Sequence, residues 1–344
     1  MKIAILYDVN ERLHTTNWSL AWEEYCKKNN IAYQIVNPYK IEVVKTLLKF
    51  DIILWHYSNY SFKDMLMAKN VLNTLEDRGK KVFPSFKDAW HFDDKLAETY
   101  LLESVEAPMP KSFYYYSLTE LDKAINDKKM SFPIIAKLRG GSGSHNVKKI
   151  DSVEELRKYG KQMFTSGLSS APSLMYKASS NIKSSKNLKI FIKRAKRIPE
   201  FLRSLSNAKK FNIERGYVYL QEFIPNDGYD LKVVVVGDKL SFIGRNIREG
   251  EYRASGGGSL FYEREKVTKE VIDSAFKTSD ELGFKCMGYD YVVNSKTGKG
   301  IIIEISYGFS HQALLDANGY FDRNGKWHEE PLNVPYEIIE NLKA

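Results

Sequence analysis

The feature that most constrains the fold is the alternation of short apolar runs with helical patterns over residues 1–90. Strands alternating with helices are typical of a parallel sheet covered by helices. The strand-sized runs are Ile3–Tyr7, Ala32–Val36, Ile52–His56 and Lys81–Phe83. The segments with helical periodicity are Ser19–Lys28, Ile41–Leu48 and Lys63–Glu76. The sequence therefore predicts a small parallel α/β unit at the N-terminus.

The pattern changes after Ala107-Pro108-Met109-Pro110, a rigid connector that ends a helix expected over Lys95–Glu103 and capped by Asp93-Asp94. Beyond it strands predominate: Ser112–Ser117, Phe132–Leu138, Val147–Ile150, Val218–Phe223, Leu231–Val236, Leu240–Arg245, Gly288–Asn294 and Gly300–Ile305. The predicted helices among them are Thr119–Asn126, Val153–Tyr159 and Glu270–Leu282. The length of 344 residues suits two or three packed domains, and the 22 Tyr, 18 Phe and 5 Trp exclude a mostly disordered chain.

Several classes of protein are disfavoured by what the sequence lacks. A membrane helix needs about 20 apolar residues, and runs such as Val233–Val236 are only strand-sized. The N-terminus reaches Asp8 too early for a signal-peptide core, and Cys26 and Cys286 form neither a disulfide framework nor a zinc spacing. A dinucleotide site needs glycines after the first strand, where the sequence reads Asp8-Val9-Asn10-Glu11-Arg12. We expect a soluble cytoplasmic protein without a Rossmann cofactor site.

Positive charge is concentrated in one segment. The net charge is +9, and Lys177–Arg215 contains twelve basic residues and two acids, so the rest of the chain is close to neutral. Apolar residues recur there at helical spacing between Ile190 and Leu205, and Pro199 can begin a second helix. A solvated helical hairpin, an anionic-substrate contact and a membrane-surface contact all remain open. Duplex nucleic acid is disfavoured, because no recognition motif or basic surface extends this segment.

A lysine and a glycine-rich loop follow one another at the end of a predicted strand. Lys137 is followed by Gly140, Gly141, Ser142, Gly143 and Ser144. Glycines let backbone N–H groups approach phosphate oxygens, and a lysine supplies a positive charge. The loop is not a Walker loop, because no Gly-Lys-Ser/Thr follows it. A phosphate site and a flexible surface turn are equally good interpretations of this pattern alone.

Two further segments offer polar groups. The strand that ends in Gln221-Glu222-Phe223-Ile224 can present an amide and main-chain groups to an adenine edge, or it is an ordinary buried strand with a polar exit. Arg245 and Arg253 lie beside a second flexible loop, which follows Arg253 and is rich in glycine at 256–258. Arginines there can grip a phosphate or a carboxylate bidentately, or they are solvated loop residues.

A pair of carboxylates points to a metal site. Asp290 lies in one predicted strand and Glu304 in the next, and the turn Asn294-Ser295-Lys296-Thr297-Gly298 predicts that the two strands form a hairpin. Carboxylates at close range repel one another unless a cation lies between them, and hard oxygen ligands completed by phosphate favour Mg²⁺. Glu304 is flanked by Ile303 and Ile305, so its burial would demand a partner.

Taken in order, these motifs resemble those of the ATP-grasp superfamily, and most nearly its RimK and glutathione-synthetase type of carboxylate–amine ligases. The resemblance covers nearly the whole chain. It consists of Asp94-Lys95 at a helix start, Lys137 before the glycine loop, Gln221-Glu222-Phe223-Ile224, Asp230-Leu231-Lys232, and Gly288-Tyr289-Asp290 with Glu304-Ile305.

The resemblance implies a mixed α/β (α+β) fold in three parts. These are an N-terminal parallel α/β domain at 1–110, a small β-rich lobe at 111–216 that carries the basic insertion at about 165–215, and a large lobe at 217–344 that carries the metal site. ATP would lie between the two lobes.

The resemblance also implies roles for individual residues. Lys95 and Lys137 would contact the ATP phosphates, and Gly140, Gly141, Ser142, Gly143 and Ser144 would form the loop that closes over them. The remaining implied contacts are Gln221, Glu222 and Ile224 to adenine, Asp230 to ribose or substrate, Arg245 and Arg253 to the transferred phosphate and acyl intermediate, and Asp290, Glu304 and Ser306 to Mg²⁺.

Two residues depart from the family pattern. Ser306 stands where the family usually has Asn, and serine is the shorter and weaker oxygen ligand, so a second Mg²⁺ would be held less tightly or completed by water. Lys232 replaces a common arginine, and this change loses the planar guanidinium fork.

His145 is more readily a polar loop residue than a catalytic base, whereas His56, after the third strand, is a candidate for the substrate site.

The implied chemistry is the activation of a carboxylate by ATP to an acylphosphate, which an amine then converts to an amide with release of ADP and phosphate. The expected partners are small-molecule or saccharide-linked acids and amines, and a homodimer follows by analogy. The alternatives are an ATP-grasp phosphotransferase, and a nucleotide-binding module without turnover whose basic insertion binds a partner.

Overall fold

The computed structural model describes residues 1–10, 16–141, 147–170, 213–247 and 259–343. Within these ranges the strands form sheets of four, four, seven and two strands. Several predicted features lie outside the described residues: most of the basic insertion, Ser142, Gly143 and Ser144 of the first glycine loop, His145, and Arg253. Among the described residues, no helix has the length and apolar character that crossing a membrane requires.

The N-terminal sheet is parallel, with the strand order β2-β1-β3-β4. Its strands are β1 (Lys2–Leu6), β2 (Ala32–Val36), β3 (Ile52–Leu54) and β4 (Lys81–Phe83). The helices of this part are α1 (Thr16–Lys28), α2 (Val43–Leu47), α3 (Phe62–Asp77), α4 (Phe86–Ala89) and α5 (Lys95–Ser104). The predicted parallel α/β unit is therefore confirmed.

The start of α5 is set by a side-chain cap. The Asp94 carboxylate accepts a hydrogen bond from the N–H of Ala97 at 3.1 Å, so one of the unpaired donors of the first turn is satisfied. The same motif begins α3, where Ser61 accepts from the N–H of Asp64. Because Asp94 fixes the first residue of α5, it also fixes the direction in which Lys95 leaves the helix.

The small lobe is an antiparallel sheet with two helices packed against it. Its strands are β5 (Ser112–Tyr115), β6 (Ile134–Lys137), β7 (Val147–Ile150) and β10 (Val218–Glu222), in the order β5-β10-β6-β7. The helices are α6 (Leu118–Asn126) and α7 (Val153–Met163). A Cβ on Gly160 would lie 2.4 Å from Leu121 Cδ2, so the close approach of α7 to α6 requires glycine there. A short ladder of β8 (Leu168–Ser169) and β9 (Ile213–Glu214) joins the two ends of the basic insertion.

The large lobe is a seven-stranded antiparallel sheet. Its strands are β11 (Tyr229–Val236), β12 (Lys239–Asn246), β13 (Leu260–Phe261), β14 (Cys286–Val293), β15 (Gly300–Ser306), β16 (Tyr320–Phe321) and β17 (Trp327–His328). They lie in the order β15-β14-β11-β12-β16-β17, and β13 pairs with β12. Its helices are α8 (Lys269–Leu282), α9 (His311–Leu315) and α10 (Val334–Lys343).

The described residues contain two hydrophobic cores. One core joins the N-terminal sheet to the large lobe, and the other belongs to the small lobe. Two indoles connect the parts of the first core: Trp18 Nε1 donates to the carbonyl of Phe309 at 3.1 Å, and Trp22 Nε1 donates to the carbonyl of Pro335 at 3.0 Å. Helix α5 belongs to both, since Leu96 packs in the small-lobe core and Leu102 in the other.

The structure differs from the sequence expectation at several element ends. Strand β3 stops at Leu54 rather than His56, because the N–H of Trp55 bonds to Phe83 and the N–H of Tyr57 then turns back to Trp55. His56 is buried beyond the strand, and its ring stacks on Trp18 at 4.2 Å between ring centroids. The patterns of residues 311–343 did not predict α9, β16, β17 or α10.

We expect Trp22→Ala to lower the free energy of unfolding by roughly 3–5 kcal/mol, because the indole is fully buried between α1 and α10 and its removal leaves a cavity. Chemical denaturation followed by circular dichroism measures this change. Leu66→Ala is the matched control, since Leu66 is 65% exposed and should change the stability by less than about 0.5 kcal/mol. Equal effects of the two substitutions would contradict this account of the core.

Candidate active site

Helix α5 brings two charged side chains into the interior. Residues three and four apart lie on one helix face, and Lys95, Glu98 and Thr99 are each less than 5% exposed. The Thr99 hydroxyl donates to the carbonyl of Lys95 at 2.7 Å and lies 2.6 Å from the Tyr219 hydroxyl. The face of α5 that carries Lys95 is therefore held against the sheet of the small lobe.

Lys95 links the first glycine loop to the large lobe. Its Nζ donates to the carbonyl of Gly141 at 2.8 Å and lies 3.3 Å from Glu304 Oε1. Burial alone would lower the pKa of Lys95, but the carboxylates of Glu304, Glu98 and Asp93 outweigh it and raise the pKa above its usual value. Lys95 is therefore a permanent positive charge in the site.

Lys137 occupies the end of β6, as predicted, and reaches across to β15. Its Nζ donates to the carbonyl of Ile303 at 2.9 Å. Burial lowers the pKa of Lys137 to about 8, although Glu304 pulls in the opposite direction. The two lysines thus differ: Lys95 stays charged, whereas Lys137 can exchange its proton near neutral pH.

Glu98 is a site residue that the sequence analysis missed. Its Oε2 accepts a hydrogen bond from the N–H of Ile305 at 3.3 Å. Burial raises the pKa of Glu98 to about 8, with Lys95 opposing and Glu304 reinforcing the shift. The signal in the sequence was its position three residues after Lys95, on the same face of a helix whose start was predicted.

The hairpin of β14 and β15 places two carboxylates opposite one another. The strands are antiparallel, and Asp290 pairs with Glu304. A bulge follows, because Tyr291 pairs with Ile302, so Ile303 is an additional residue on β15. Directly opposite side chains on one sheet face have Cβ atoms about 4.5–5.5 Å apart. The predicted hairpin pairing is confirmed, and the metal-binding role of the two carboxylates stays a prediction.

Asp290 is held by two basic side chains. Its Oδ1 lies 2.5 Å from Lys232 Nζ and 3.2 Å from Arg245 Nη2. Burial would raise the pKa of Asp290, but Arg245 and Lys232 outweigh burial and lower the pKa to about 2. Asp290 is therefore ionised at any physiological pH, which is the form that binds a cation.

Arg245 also binds Asp230, the residue opposite it in the pairing of β11 with β12. Its Nε and Nη2 donate to the two oxygens of Asp230 at 2.6 and 2.8 Å, a bidentate arrangement. Burial raises the pKa of Asp230 to about 6, against the attraction of Arg245. The guanidinium predicted to meet the transferred phosphate thus bridges Asp230 and Asp290, beside Glu304.

The first two glycines of the predicted phosphate loop are anchored near Lys95. The N–H of Gly141 donates to Asp93 Oδ1 at 3.3 Å, and its φ of 115° is in the region that favours glycine. Gly140 lies against the short β8–β9 ladder, since a Cβ on it would be 3.6 Å from Glu214 Oε1. Glu214 in turn lies 3.6 Å from the guanidinium of Arg139 and accepts from the Tyr217 hydroxyl.

The residues predicted to meet adenine lie at the end of β10. Gln221 is buried, and its Nε2 donates to the Ser112 hydroxyl at 3.2 Å, so its side chain is tied to β5. Glu222 is exposed, and its N–H donates to the carbonyl of Lys111. Ile224 follows the strand, and its carbonyl accepts from Asn226. Adenine contacts in this region stay a prediction.

Ser306 closes a local turn. Its hydroxyl donates to the carbonyl of Gly308 at 3.3 Å and accepts from the Gly308 N–H at 3.0 Å. The residue lies two positions after Glu304 on β15, so it shares a sheet face with Glu304. Its predicted contact with a metal ion is untested.

The donor set fits a magnesium ion that is shared with phosphate. Within the described ranges, no group of three or more His, Cys, Asp and Glu side chains is arranged to hold a metal by itself. The opposed carboxylates of Asp290 and Glu304 supply only hard oxygen atoms, beside the lysines predicted to meet phosphate. Mg²⁺ typically takes one or two carboxylates and completes its octahedron with water and phosphate oxygens.

Comparison with known proteins identifies two similar curated enzymes, whereas no family model matches the chain. The tetrahydromethanopterin:alpha-L-glutamate ligase of Methanosarcina acetivorans is 29% identical over 147 residues, which span 38% of this chain and only 42% of that enzyme. The alpha-aminoadipate–LysW ligase LysX of Saccharolobus solfataricus is 22% identical over 288 residues, or 80% of this chain and 86% of that enzyme.

Solved structures show the same fold. The RimK domain ATP-grasp protein of Sphaerobacter thermophilus superposes over 100% of both chains with a TM-score of 0.55 and 13% identity. The biotin carboxylase domain of a Hydrogenobacter thermophilus 2-oxoglutarate carboxylase, solved with MgADP, gives 0.60 at 12% identity over 100% of this chain and 69% of that one. D-alanine–D-alanine ligase of Bacillus anthracis, solved with ATP, gives 0.52 at 13% over 89% and 85%.

The chain therefore has the fold of the ATP-grasp proteins, and the two curated enzymes that it resembles are ligases. The mixed α/β (α+β) ATP-grasp fold that the sequence predicted is confirmed.

We expect the affinity for ATP to fall as the pH rises from about 7.5 to about 9.5. Lys137 loses its positive charge and Glu98 gains a negative charge around pH 8, and both changes oppose binding of a triphosphate. Each linked proton weakens binding by up to about tenfold per pH unit above its pKa. Isothermal titration calorimetry measures the affinity at each pH. Lys137→Arg stays charged and should make the profile shallower, whereas a flat wild-type profile would contradict the prediction.

Proposed function

We propose that the protein is an ADP-forming, ATP-dependent carboxylate–amine ligase. The observation that supports this most is the meeting of the buried Lys95 and Lys137 with the opposed carboxylates Asp290 and Glu304 in one cluster. Lys95 comes from the N-terminal part, Lys137 from the small lobe and Glu304 from the large lobe. Positive charge and a candidate cation site therefore face one another where the three parts join.

The proposed reaction has two steps. An oxygen of the substrate carboxylate attacks the γ-phosphorus of ATP, the bond between that phosphorus and the bridging oxygen of ADP breaks, and an acylphosphate forms. The nitrogen of the amine then attacks the acyl carbon, phosphate leaves with the bonding electrons, and the nitrogen loses a proton to give the amide. No step requires a nucleophilic side chain of the protein.

The barrier to the first step is electrostatic, because two anions must approach in line. Lys95 is held charged chiefly by Glu304, and it is available to neutralise phosphate oxygens. Lys137 gains a proton readily as negative charge enters the site. Asp290 and Glu304 would hold Mg²⁺, which adds positive charge at the phosphates. Burial of the two lysines limits water around them, which would otherwise hydrolyse the acylphosphate.

An amino acid is the substrate class that the comparisons favour. The names of the two curated relatives contain glutamate and aminoadipate, and that of the Bacillus anthracis enzyme contains D-alanine. A saccharide-linked acid has no such support. We therefore propose that one of the two substrates is an amino acid. A screen of acid–amine pairs should include saccharide-linked acids as the contrasting class.

We expect Glu304→Gln to reduce ADP formation by about 100-fold or more with a productive acid–amine pair, because one carboxylate of the proposed cation site loses its charge. Coupled assays for ADP and phosphate measure the rate. Asp77→Asn is the matched control, because Asp77 is exposed on α3, and it should retain the wild-type rate. Release of AMP would refute the acylphosphate route, and a phosphorylated product would indicate a phosphotransferase instead.

A nucleotide-binding module without turnover is the second candidate. Lys232 and Arg245 already occupy Asp290 Oδ1, and the Ser306 hydroxyl is engaged with Gly308. These contacts would compete with a metal ion for the same oxygens. Nucleotide binding without ADP formation across a broad screen of acids and amines would favour this candidate over the ligase.

The basic insertion is proposed to bind a large or anionic acceptor. Its two ends meet in the β8–β9 ladder, and Ser170 and Glu214 lie within 4 Å of a Cβ position on Gly140, the start of the predicted phosphate loop. The segment therefore begins and ends beside the predicted site. Its net charge of +10 suits an acidic partner.

We expect deletion of 177–210 to preserve ATP binding and to raise the KM for a large acidic acceptor by about tenfold or more, while a small amine acceptor is used as before. Steady-state kinetics at two salt concentrations measure both, since an electrostatic contribution weakens as salt rises. Unchanged kinetics with the acidic acceptor would dismiss this role.

A further inference from the structure

Strand β15, which carries Glu304, is the edge strand of the large sheet, and side chains from the other parts bind its outer edge. The N–H of Ile302 donates to the carbonyl of Pro108 at 2.7 Å. Lys137 Nζ donates to the carbonyl of Ile303, and Glu98 accepts from the N–H of Ile305. The two residues on either side of Glu304 are thus each bound by a charged side chain.

Nucleotide binding in the proposed reaction would affect these two contacts differently. Lys137 is the lysine predicted to meet ATP phosphates, so its bond to the Ile303 carbonyl competes with nucleotide. Glu98 has no such competing role, because a carboxylate does not bind phosphate. Its hydrogen bond to Ile305 is therefore the contact that can keep β15 against α5 when ATP is bound.

We propose that Glu98 is a positioning residue, which holds β15 through the Ile305 N–H and thereby sets Glu304 at its distance from Lys95. The inference rests on the ligase function proposed above. The role is geometric, because Glu98 Oε2 accepts a hydrogen bond from the Ile305 N–H. Glu98 is 4% exposed and lies on the helix that carries Lys95, so this contact ties β15 to that helix.

The positioning role predicts different effects on binding and on turnover. Because burial raises the pKa of Glu98 to about 8, the side chain is largely neutral at pH 7, and its replacement should leave ATP binding nearly unchanged at that pH. Removing the acceptor should slow turnover, because β15 and Glu304 lose their fixed position. A residue with a merely structural role would weaken binding and turnover together when it is replaced.

Three variants test the positioning role. Glu98→Gln keeps an oxygen that can accept from Ile305, Glu98→Ala loses it, and Glu103→Gln is the control on the exposed side of the same helix. We expect Glu98→Ala to lower kcat at pH 7 about 10- to 100-fold while ATP binds about as tightly as to wild type. Glu98→Gln should recover kcat to within about threefold and bind ATP like wild type.

Amide hydrogen exchange of the segment that contains Ile305 tests the contact without any turnover. Exchange should speed up about tenfold or more in Glu98→Ala and stay near wild type in Glu98→Gln and Glu103→Gln. If the ligase proposal fails but the exchange and binding results hold, the positioning role survives as an organiser of the nucleotide site. Wild-type exchange in Glu98→Ala, or weaker ATP binding in both Glu98 variants, would overturn it.

Discussion

The structure depends on charge compensation among the side chains that meet where its three parts join. Two lysines, Lys95 and Lys137, lie in the interior, where an unpaired ammonium group is strongly destabilising. They persist because Glu304 and Glu98 lie beside them and main-chain carbonyls accept hydrogen bonds from them. Such a cluster is weak as a source of stability, since desolvation offsets much of the attraction. The proposed binding of a triphosphate and a cation explains its presence better.

A second cluster of charged side chains lies on the large sheet, and there two carboxylates are neutralised by basic side chains. Asp230 and Asp290 lie close together on neighbouring strands, and Arg245 joins them. Lys232 stands where the family pattern has arginine. Its ammonium group lies 2.5 Å from Asp290 Oδ1 and acts as a single point charge. Asp290 therefore keeps an ion-pair partner at position 232, and the bidentate contact in this cluster is the one between Arg245 and Asp230.

Much of the fold could be predicted because local rules decide it. The Asp94 cap, the turn before Gly298 and the alternation of strands and helices all act over a few residues, and α5 and the hairpin of β14 and β15 begin and end close to where the sequence placed them. The opposition of Asp290 and Glu304 followed from the hairpin alone.

Other features depend on contacts between distant parts of the chain and could not be predicted. In the sequence, Glu98 looks like an ordinary acidic residue of an amphipathic helix, because its contact with β15 exists only in the folded protein. The engagement of Gln221 with Ser112 arises from the pairing of β10 with β5, which lie more than 100 residues apart. The sharing of one core by the N-terminal sheet and the large lobe, through Trp18 and Trp22, likewise has no local signal.

Helix α5 belongs to both cores, and this has a mechanical consequence. Leu96 at one end packs with the small lobe, and Leu102, nearly two turns later, packs with the remainder of the protein. Any rotation of the small lobe relative to the rest of the protein must therefore rotate or bend this helix, because its two ends pack in different cores. Glu98 lies between these two leucines and Lys95 directly precedes them, so a movement of the small lobe would displace these two side chains first.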